Sequence, residues 1–255
     1  MDIRGLQKLS LLDFPETVAC TVFTGGCNLR CPFCHNPSLV LPQRLANEPA
    51  SLSMEALLSF LHKRRGVLDG VCVTGGEPLM QPDLDGFLRE IGRMGYRVKL
   101  DTNGTYPDRL VRILDAGLVD RVAMDVKNSL ARYPMTVGIP NFSTDGVEIS
   151  IRLLMEGRVP YEFRTTVVRE LHREEDLVSL AQTVAGAQAY VLQQFVDSGD
   201  LIDPVVVMSE DVAKDVASSP DTATPARLTG YAEAEMCRLC EAVRPWVPAV
   251  MVRGV

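Results

Sequence analysis

Three thiols fall within eight residues in Cys27-Asn28-Leu29-Arg30-Cys31-Pro32-Phe33-Cys34, a spacing that lets one short loop wrap a single metal centre. Zinc prefers four closed tetrahedral ligands, whereas a cubane iron–sulfur cluster can be held by three thiolates when its fourth iron takes another ligand. His35 is poorly placed to complete the set, because Cys34 beside it already occupies one position and adjacent side chains diverge on an extended backbone. The other candidate, Cys237-Arg238-Leu239-Cys240, lies more than 200 residues further along. Spacing alone therefore leaves three readings open: an iron–sulfur centre, a structural zinc and free thiols. Cys20 and Cys72 sit inside apolar runs and read as buried small residues.

A second group with chemistry in it is Thr74-Gly75-Gly76-Glu77-Pro78, which ends an apolar run. One reading is a glycine turn closed by a strand-breaking proline. The other is a site where backbone approaches a ligand closely and Glu77 accepts hydrogen bonds from an ammonium group. Charges also alternate within apolar segments. Arg97, Lys99 and Asp101 share one face of a strand pattern, Arg121, Asp125 and Lys127 another, and Glu162, Arg164 and Thr166 a third. Such rows point inward if helices cover the apolar faces, and ionisable groups in an interior must pair with each other or with a polar ligand.

The elements that position these residues follow from hydrophobic periodicity. Short β-rich runs at 17–23, 70–74, 96–102, 120–127, 161–168 and 189–195 alternate with helix-like stretches near 53–65, 82–94, 107–116, 143–156 and 173–185. Ser53 and the Pro107-Asp108 pair are helix-start signals. Six β/α units fall short of the eight that close a barrel, so the expected fold is α/β, a partial (β/α)6 TIM-like barrel of mainly parallel strands. Residues 1–203 form that barrel in this reading. Residues 204–255 are a C-terminal extension packed on it, with Ser218-Ser219-Pro220 in a loop, then a helix and a last strand near 247–252.

Composition narrows the class. The chain has 255 residues, 46% of them hydrophobic, and its 26 basic and 33 acidic side chains give a net charge of −7, so no general attraction to nucleic acid or an anionic membrane is expected. Asp2, Arg4, Lys8 and Asp13 interrupt the apolar residues of the first fifteen positions, and no run is long enough to span a bilayer. A cytoplasmic location is expected, where seven cysteines are metal ligands, reactive thiols or core residues before they are disulfides.

Taken together, Cys27-x3-Cys31-x2-Cys34 with aromatic Phe33 before the last thiol, and Gly75-Gly76-Glu77-Pro78 one strand later, resemble the radical S-adenosylmethionine enzymes. The likeness continues through Cys34-His35-Asn36, Asp101-Thr102-Asn103-Gly104 and Met124-Asp125-Val126-Lys127. Within that superfamily the chain is most similar to the glycyl-radical activating enzymes, particularly the branch that activates anaerobic ribonucleoside-triphosphate reductase. Gly5-Leu6-Gln7-Lys8, Leu12-Asp13-Phe14-Pro15 and Val191-Leu192-Gln193-Gln194-Phe195 favour that branch.

The resemblance implies that Cys27, Cys31 and Cys34 ligate a 4Fe-4S cluster whose open iron is chelated by S-adenosylmethionine. It places the methionine amino group on Gly75, Gly76 and Glu77, and the carboxylate side on Asp125 and Lys127. Phe33, His35, Asn36, Asn103 and Arg164 are implied near the cofactor, with Gln194 a candidate for the nucleoside. Asp101, Thr102, Asp125 and the Ala123 carbonyl match a monovalent-cation site. Reductive cleavage of S-adenosylmethionine to a 5′-deoxyadenosyl radical would then generate a glycyl radical on a partner enzyme, with a flavodoxin- or ferredoxin-type protein as electron donor. Two alternatives stand beside this one. A radical enzyme of the 7-carboxy-7-deazaguanine synthase kind would act on a small molecule and use Arg97, Lys99, Arg121 and Arg164 to hold an anion. A zinc-stabilised binding module would use the thiols alone.

Overall fold

The computed structural model describes residues 1–47, 52–207 and 225–254. They form two compact units. The first comprises 1–28, 38–126 and 144–163, and the second 29–37, 127–143 and 164 onward. Ser218-Ser219-Pro220 lies outside the described residues.

In the first unit the strands run in the order β1 (Ile3–Ser10), β2 (Ala19–Thr24), β3 (Gly70–Gly75), β4 (Arg97–Thr102) and β5 (Arg121–Asp125), and β6 (Tyr161–Val167) begins here. β1 pairs with β2 antiparallel, while β2, β3, β4 and β5 pair in parallel. Helices α1 (Pro37–Val40) and α2 (Pro42–Asn47) follow the cysteine loop, and α3 (Met54–Lys63), α4 (Leu84–Arg93), α5 (Pro107–Asp115) and α7 (Asp145–Met155) connect the parallel strands. The short α6 (Tyr133–Thr136) precedes α7 and belongs to the second unit.

The anticipated start signals hold. Ser53 accepts a hydrogen bond from Ala56 N at the head of α3, and Pro107 opens α5 with Asp108 in its first turn. Each connecting helix buries one stripe, as α4 does with Leu84, Phe87, Leu88 and Ile91, while its other face carries the charges. The strand centres Val71, Val73, Val98, Leu100, Val122 and Met124 are almost fully enclosed, as expected of parallel strands covered by helices.

The second unit takes the end of β6, then α8 (Glu174–Thr183) and β7 (Tyr190–Gln194). A ribbon of β8 (Val205–Val207) and β9 (Pro225–Arg227), helix α9 (Glu233–Val243) and β10 (Val250–Arg253) complete it. β10 pairs in parallel with β7, Val250 opposite Tyr190 through Arg253 opposite Gln193. All six expected strands are present in a mainly parallel α/β arrangement of the partial-barrel class. The last strand expected near 247–252 is there too, as β10 paired with the β7 edge. β1 and the β8–β9 ribbon are additions the periodicity did not reveal.

Candidate functional site

The exit of β3 is built against the exit of β2. Gly76 N donates to Thr24 O and Glu77 N to Gly26 O, both at 2.8 Å. A Cβ on Gly75 would lie 2.3 Å from Thr24 N, and one on Gly76 would lie 1.9 Å from Gly26 O. Gly75 also has φ +118, a conformation side chains rarely adopt. The two glycines are thus demanded by the close passage of the protein's own backbone, on which the Gly76 N–H is spent.

Glu77 is wholly enclosed. Its Oε1 accepts from Leu79 N at 2.9 Å and from Thr102 Oγ1 at 2.8 Å, and its Oε2 accepts from Asn103 N at 2.7 Å. Burial outweighs these bonds and pushes the carboxyl up to about 7, with the nearby Asp125 charge adding to the rise. The three donors to Glu77 are backbone N–H and hydroxyl groups, so these bonds bring no positive charge to offset its burial. An ammonium group fits that environment. Tyr106, half-buried at the head of α5, has its phenol pushed up by burial and by the charges of Glu77 and Cys27.

Asp101 and Thr102, implied at a cation site, already have partners. The enclosed Lys99 ammonium sits 2.8 Å from Asp101 Oδ1 and donates to Asp13 O at 2.7 Å, so a monovalent cation carried by the chain itself stands on Asp101. Thr102 Oγ1 accepts from Gly104 N at 3.1 Å while donating to Glu77. Register places Ala123 opposite Asp101 on the adjoining strand. Arg121 lies 3.6 Å from Glu162, and Arg97 donates to Thr17 Oγ1 and stacks over Phe14. Lys99 with Asp101 and Arg121 with Glu162 thus pair within the chain, whereas Arg97, expected to point inward, is exposed at the start of β4.

Cys27, half-buried at the end of the β2 exit, receives a long hydrogen bond from Asn103 Nδ2 at 3.8 Å. Asn28 and Thr105 complete a side-chain network around it. Neither residue was singled out from sequence, although each adjoins a residue that was.

In the second unit, Cys31 is buried and Cys34 half-buried, with Cys34 N closing a turn on Cys31 O at 3.0 Å. The loop is pinned by Arg30 N to Val137 O and by Asp203 N to Pro32 O. Phe33 is buried and meets the edge of the His172 ring at 6.4 Å. His172 is itself enclosed. Its Nδ1 accepts from Val168 N, which places the proton on Nε2, where it is donated to Lys127 O at 2.7 Å. Burial holds its basicity below the ordinary imidazole value. His172 is thus a satisfied core histidine that backs Phe33 and fixes the Lys127 carbonyl.

His35 and Asn36 are exposed, the former tilted against Phe195 at 5.5 Å, and Lys127 and Arg164 are half-buried. Gln194 donates to Tyr231 O at 2.6 Å and so ties β7 to the segment leading into α9. Cys240 is buried on α9 with its thiol pushed up by burial, whereas Cys237 is exposed. Cys20 and Cys72 are enclosed, and burial pushes the Cys20 thiol up to about 12. Among the described residues no three His, Cys, Asp or Glu side chains converge as around one metal ion, and no helix is long and apolar enough to cross a membrane.

Comparison with known proteins places this geometry in context. The chain is 32% identical over 203 residues to a provisionally named glycyl-radical enzyme activating enzyme of Methanocaldococcus jannaschii, covering 76% of this chain and 79% of that one. It is 35% identical over 118 residues to a 7-carboxy-7-deazaguanine synthase of Methanopyrus kandleri, covering 40% of this chain and less than half, 46%, of the relative. In fold it matches a domain of the pyruvate-formate lyase-activating enzyme of Bacteroides vulgatus with a TM-score of 0.53 at 16% identity, over 72% of this chain and 99% of that domain. Residues 21–181 match the model of the Radical SAM superfamily, and the chain, with its three-cysteine loop and its Gly-Gly-Glu-Pro turn, belongs to that superfamily.

Proposed function

We propose that this chain activates a glycyl-radical enzyme, and that Cys27, Cys31 and Cys34 hold the 4Fe-4S cluster its family implies. When bound, a reduced cluster would supply one electron to the sulfonium of S-adenosylmethionine, giving methionine and the 5′-deoxyadenosyl radical that would take a hydrogen atom from the partner's glycine. The donor set suits both groups: three cysteines outside any disulfide, and the enclosed Glu77 carboxyl, whose backbone and hydroxyl donors carry no charge.

The chain's own residues bind, orient and shield. Glu77 and the Gly75-Gly76 turn take the amino group of the methionine moiety, and the two glycines let that turn pass close against the end of β2. Asp125 and Lys127 take the carboxylate side, as the family resemblance implies, and the Lys127 carbonyl accepts a hydrogen bond from His172. Phe33, Asn36, His35 and Arg164 line the proposed cofactor region, and Phe33 and Cys31 exclude water on the buried side of the loop. Gln194 contributes by anchoring the Tyr231 segment beside β7. Residues 204–255 act as an extension that covers the β7 edge. Asp101, Thr102, Asp125 and the Ala123 carbonyl form the proposed cation position, with the Lys99 ammonium serving at Asp101.

The observation that favours the activase reading over a small-molecule one is the pairing of inward charges. Lys99 and Arg121, two of the four basic groups that would anchor an anionic substrate, face Asp101 and Glu162 instead. The similarity to an activating enzyme over 76% of this chain and 79% of that one supports the same choice. The partner we propose is an anaerobic ribonucleoside-triphosphate reductase, on the strength of the 5–8, 12–15 and 191–195 segments, with a flavodoxin- or ferredoxin-type donor. The test is anaerobic incubation of the iron-reconstituted, reduced chain with S-adenosylmethionine and that reductase. A doublet-split glycyl signal in the electron spin resonance spectrum is expected. Deoxyadenosine release that requires no protein partner and rises with an added pterin would instead favour the deazaguanine-type reading, which the partial likeness to the Methanopyrus kandleri enzyme keeps in view.

A further inference from the structure

We infer that Asn103 is a positioning residue for the cluster ligand Cys27, held in a single orientation by a closed ring with Asn28 and Thr105. The inference rests on the radical S-adenosylmethionine reading and deepens it. Asn103 Oδ1 accepts from Thr105 N at 3.0 Å and from Thr105 Oγ1 at 2.7 Å. These two donors fix which end of the amide is oxygen, so Nδ2 must face the other way. There it donates to Asn28 Oδ1 at 3.0 Å and to Cys27 Sγ at 3.8 Å. Asn28 Nδ2 closes the ring on Thr105 Oγ1 at 2.9 Å.

Asn103, Thr105 and Asn28 each give and receive within the ring, so the Asn103 amide cannot flip without breaking two bonds at Thr105. The backbone of the same residue is tied to the other half of the site, because Asn103 N donates to Glu77 Oε2 at 2.7 Å. One residue therefore couples the carboxylate proposed for the methionine amino group to the sulfur proposed for the iron. A fixed N–H aimed at a ligating sulfur stabilises the more negative, reduced cluster and raises its potential.

The experiment is a potentiometric titration of the reconstituted chain, following the electron spin resonance signal of the reduced cluster, for the wild type and for Asn103→Ala, Thr105→Val and Thr105→Ser. Asn103→Ala is expected to lower the one-electron reduction constant about tenfold, which is about 59 mV more negative. Thr105→Val, which keeps the amide but frees it to turn, shifts the potential the same way by less, and Thr105→Ser restores the wild-type value. Iron content and a thermal melt accompany each variant. A potential unchanged in Asn103→Ala, or Thr105→Ser behaving like Thr105→Val, overturns the inference while leaving the family reading intact. A wild-type chain that assembles no 4Fe-4S cluster overturns both.

Discussion

Glu77→Gln should reverse its effect on stability between acid and neutral pH. Folding raises the Glu77 carboxyl from 4.5 to about 7, chiefly through burial. Between those values the native protein keeps a proton that the unfolded chain has released, so stability is fully present below pH 4.5 and is lost as the pH rises through 7. At about 1.36 kcal/mol per decade of proton affinity, the loss amounts to roughly 3 kcal/mol.

The glutamine cannot titrate and escapes that loss, but it carries its own defect. Its carbonyl can replace Oε1, which serves Leu79 N and Thr102 Oγ1, leaving its NH2 opposed to the N–H of Asn103. That mismatch costs about 2 kcal/mol. The variant should therefore be less stable than the wild type by about 2 kcal/mol near pH 4.5 and more stable by about 1 kcal/mol at pH 8, following from the mismatch and the pH-linked loss. Urea unfolding of the cofactor-free protein, followed by far-ultraviolet circular dichroism across that range, measures the difference directly, and other titrating groups cancel in the comparison. A difference that stays constant with pH would refute the assignment of a raised, buried carboxyl at this position.

His172→Gln tests the opposite sign. Because burial holds His172 neutral in the native state, wild-type stability should fall as the pH drops below 6.5, and the variant should show a shallower fall in the same unfolding series. Lys99→Met strands Asp101 beside the Asp13 carbonyl and should destabilise by about 3 kcal/mol, read from the urea midpoint at pH 7. Gly76→Ala drives a methyl into Gly26 O and should cost at least about 2 kcal/mol in a thermal melt of the cofactor-free chain, so a variant as stable as wild type would show the turn to be loose. Cys31→Ala should abolish binding of the four irons while the far-ultraviolet spectrum is kept, checked by iron and sulfide analysis after anaerobic reconstitution.

The parts of the molecule legible in the sequence are those whose chemistry is local. Three thiols in eight residues and a Gly-Gly-Glu-Pro turn announce themselves without a fold. The strands from 19 to 194 were visible because their apolar runs are bounded by turns and helices. β1 escaped because Ile3–Ser10 does not alternate: three consecutive exposed residues precede Ser10, and the pairing with β2 shifts register twice. The three-residue strands of the ribbon are too short for any period.

In the site, the residues missed were those whose role depends on partners distant in sequence. Asn28 meets Thr105 across 77 positions, and His172 meets the Lys127 carbonyl across 45. The inward charges on β4 and β5 were found, but whether they faced a ligand or one another required the register that sets Lys99 beside Arg121 and Asp101 beside Ala123.

Asn103 is followed by Gly104, the neighbour that most readily lets a backbone nitrogen attack the side-chain amide, expel ammonia and leave an aspartate behind. In the folded protein Gly104 N is engaged by Thr102 Oγ1, and the amide is immobilised by Thr105. The native chain should consequently age slowly at this pair, whereas unfolded protein held warm and alkaline should convert it, gaining a negative charge beside Cys27 that no refolding would remove.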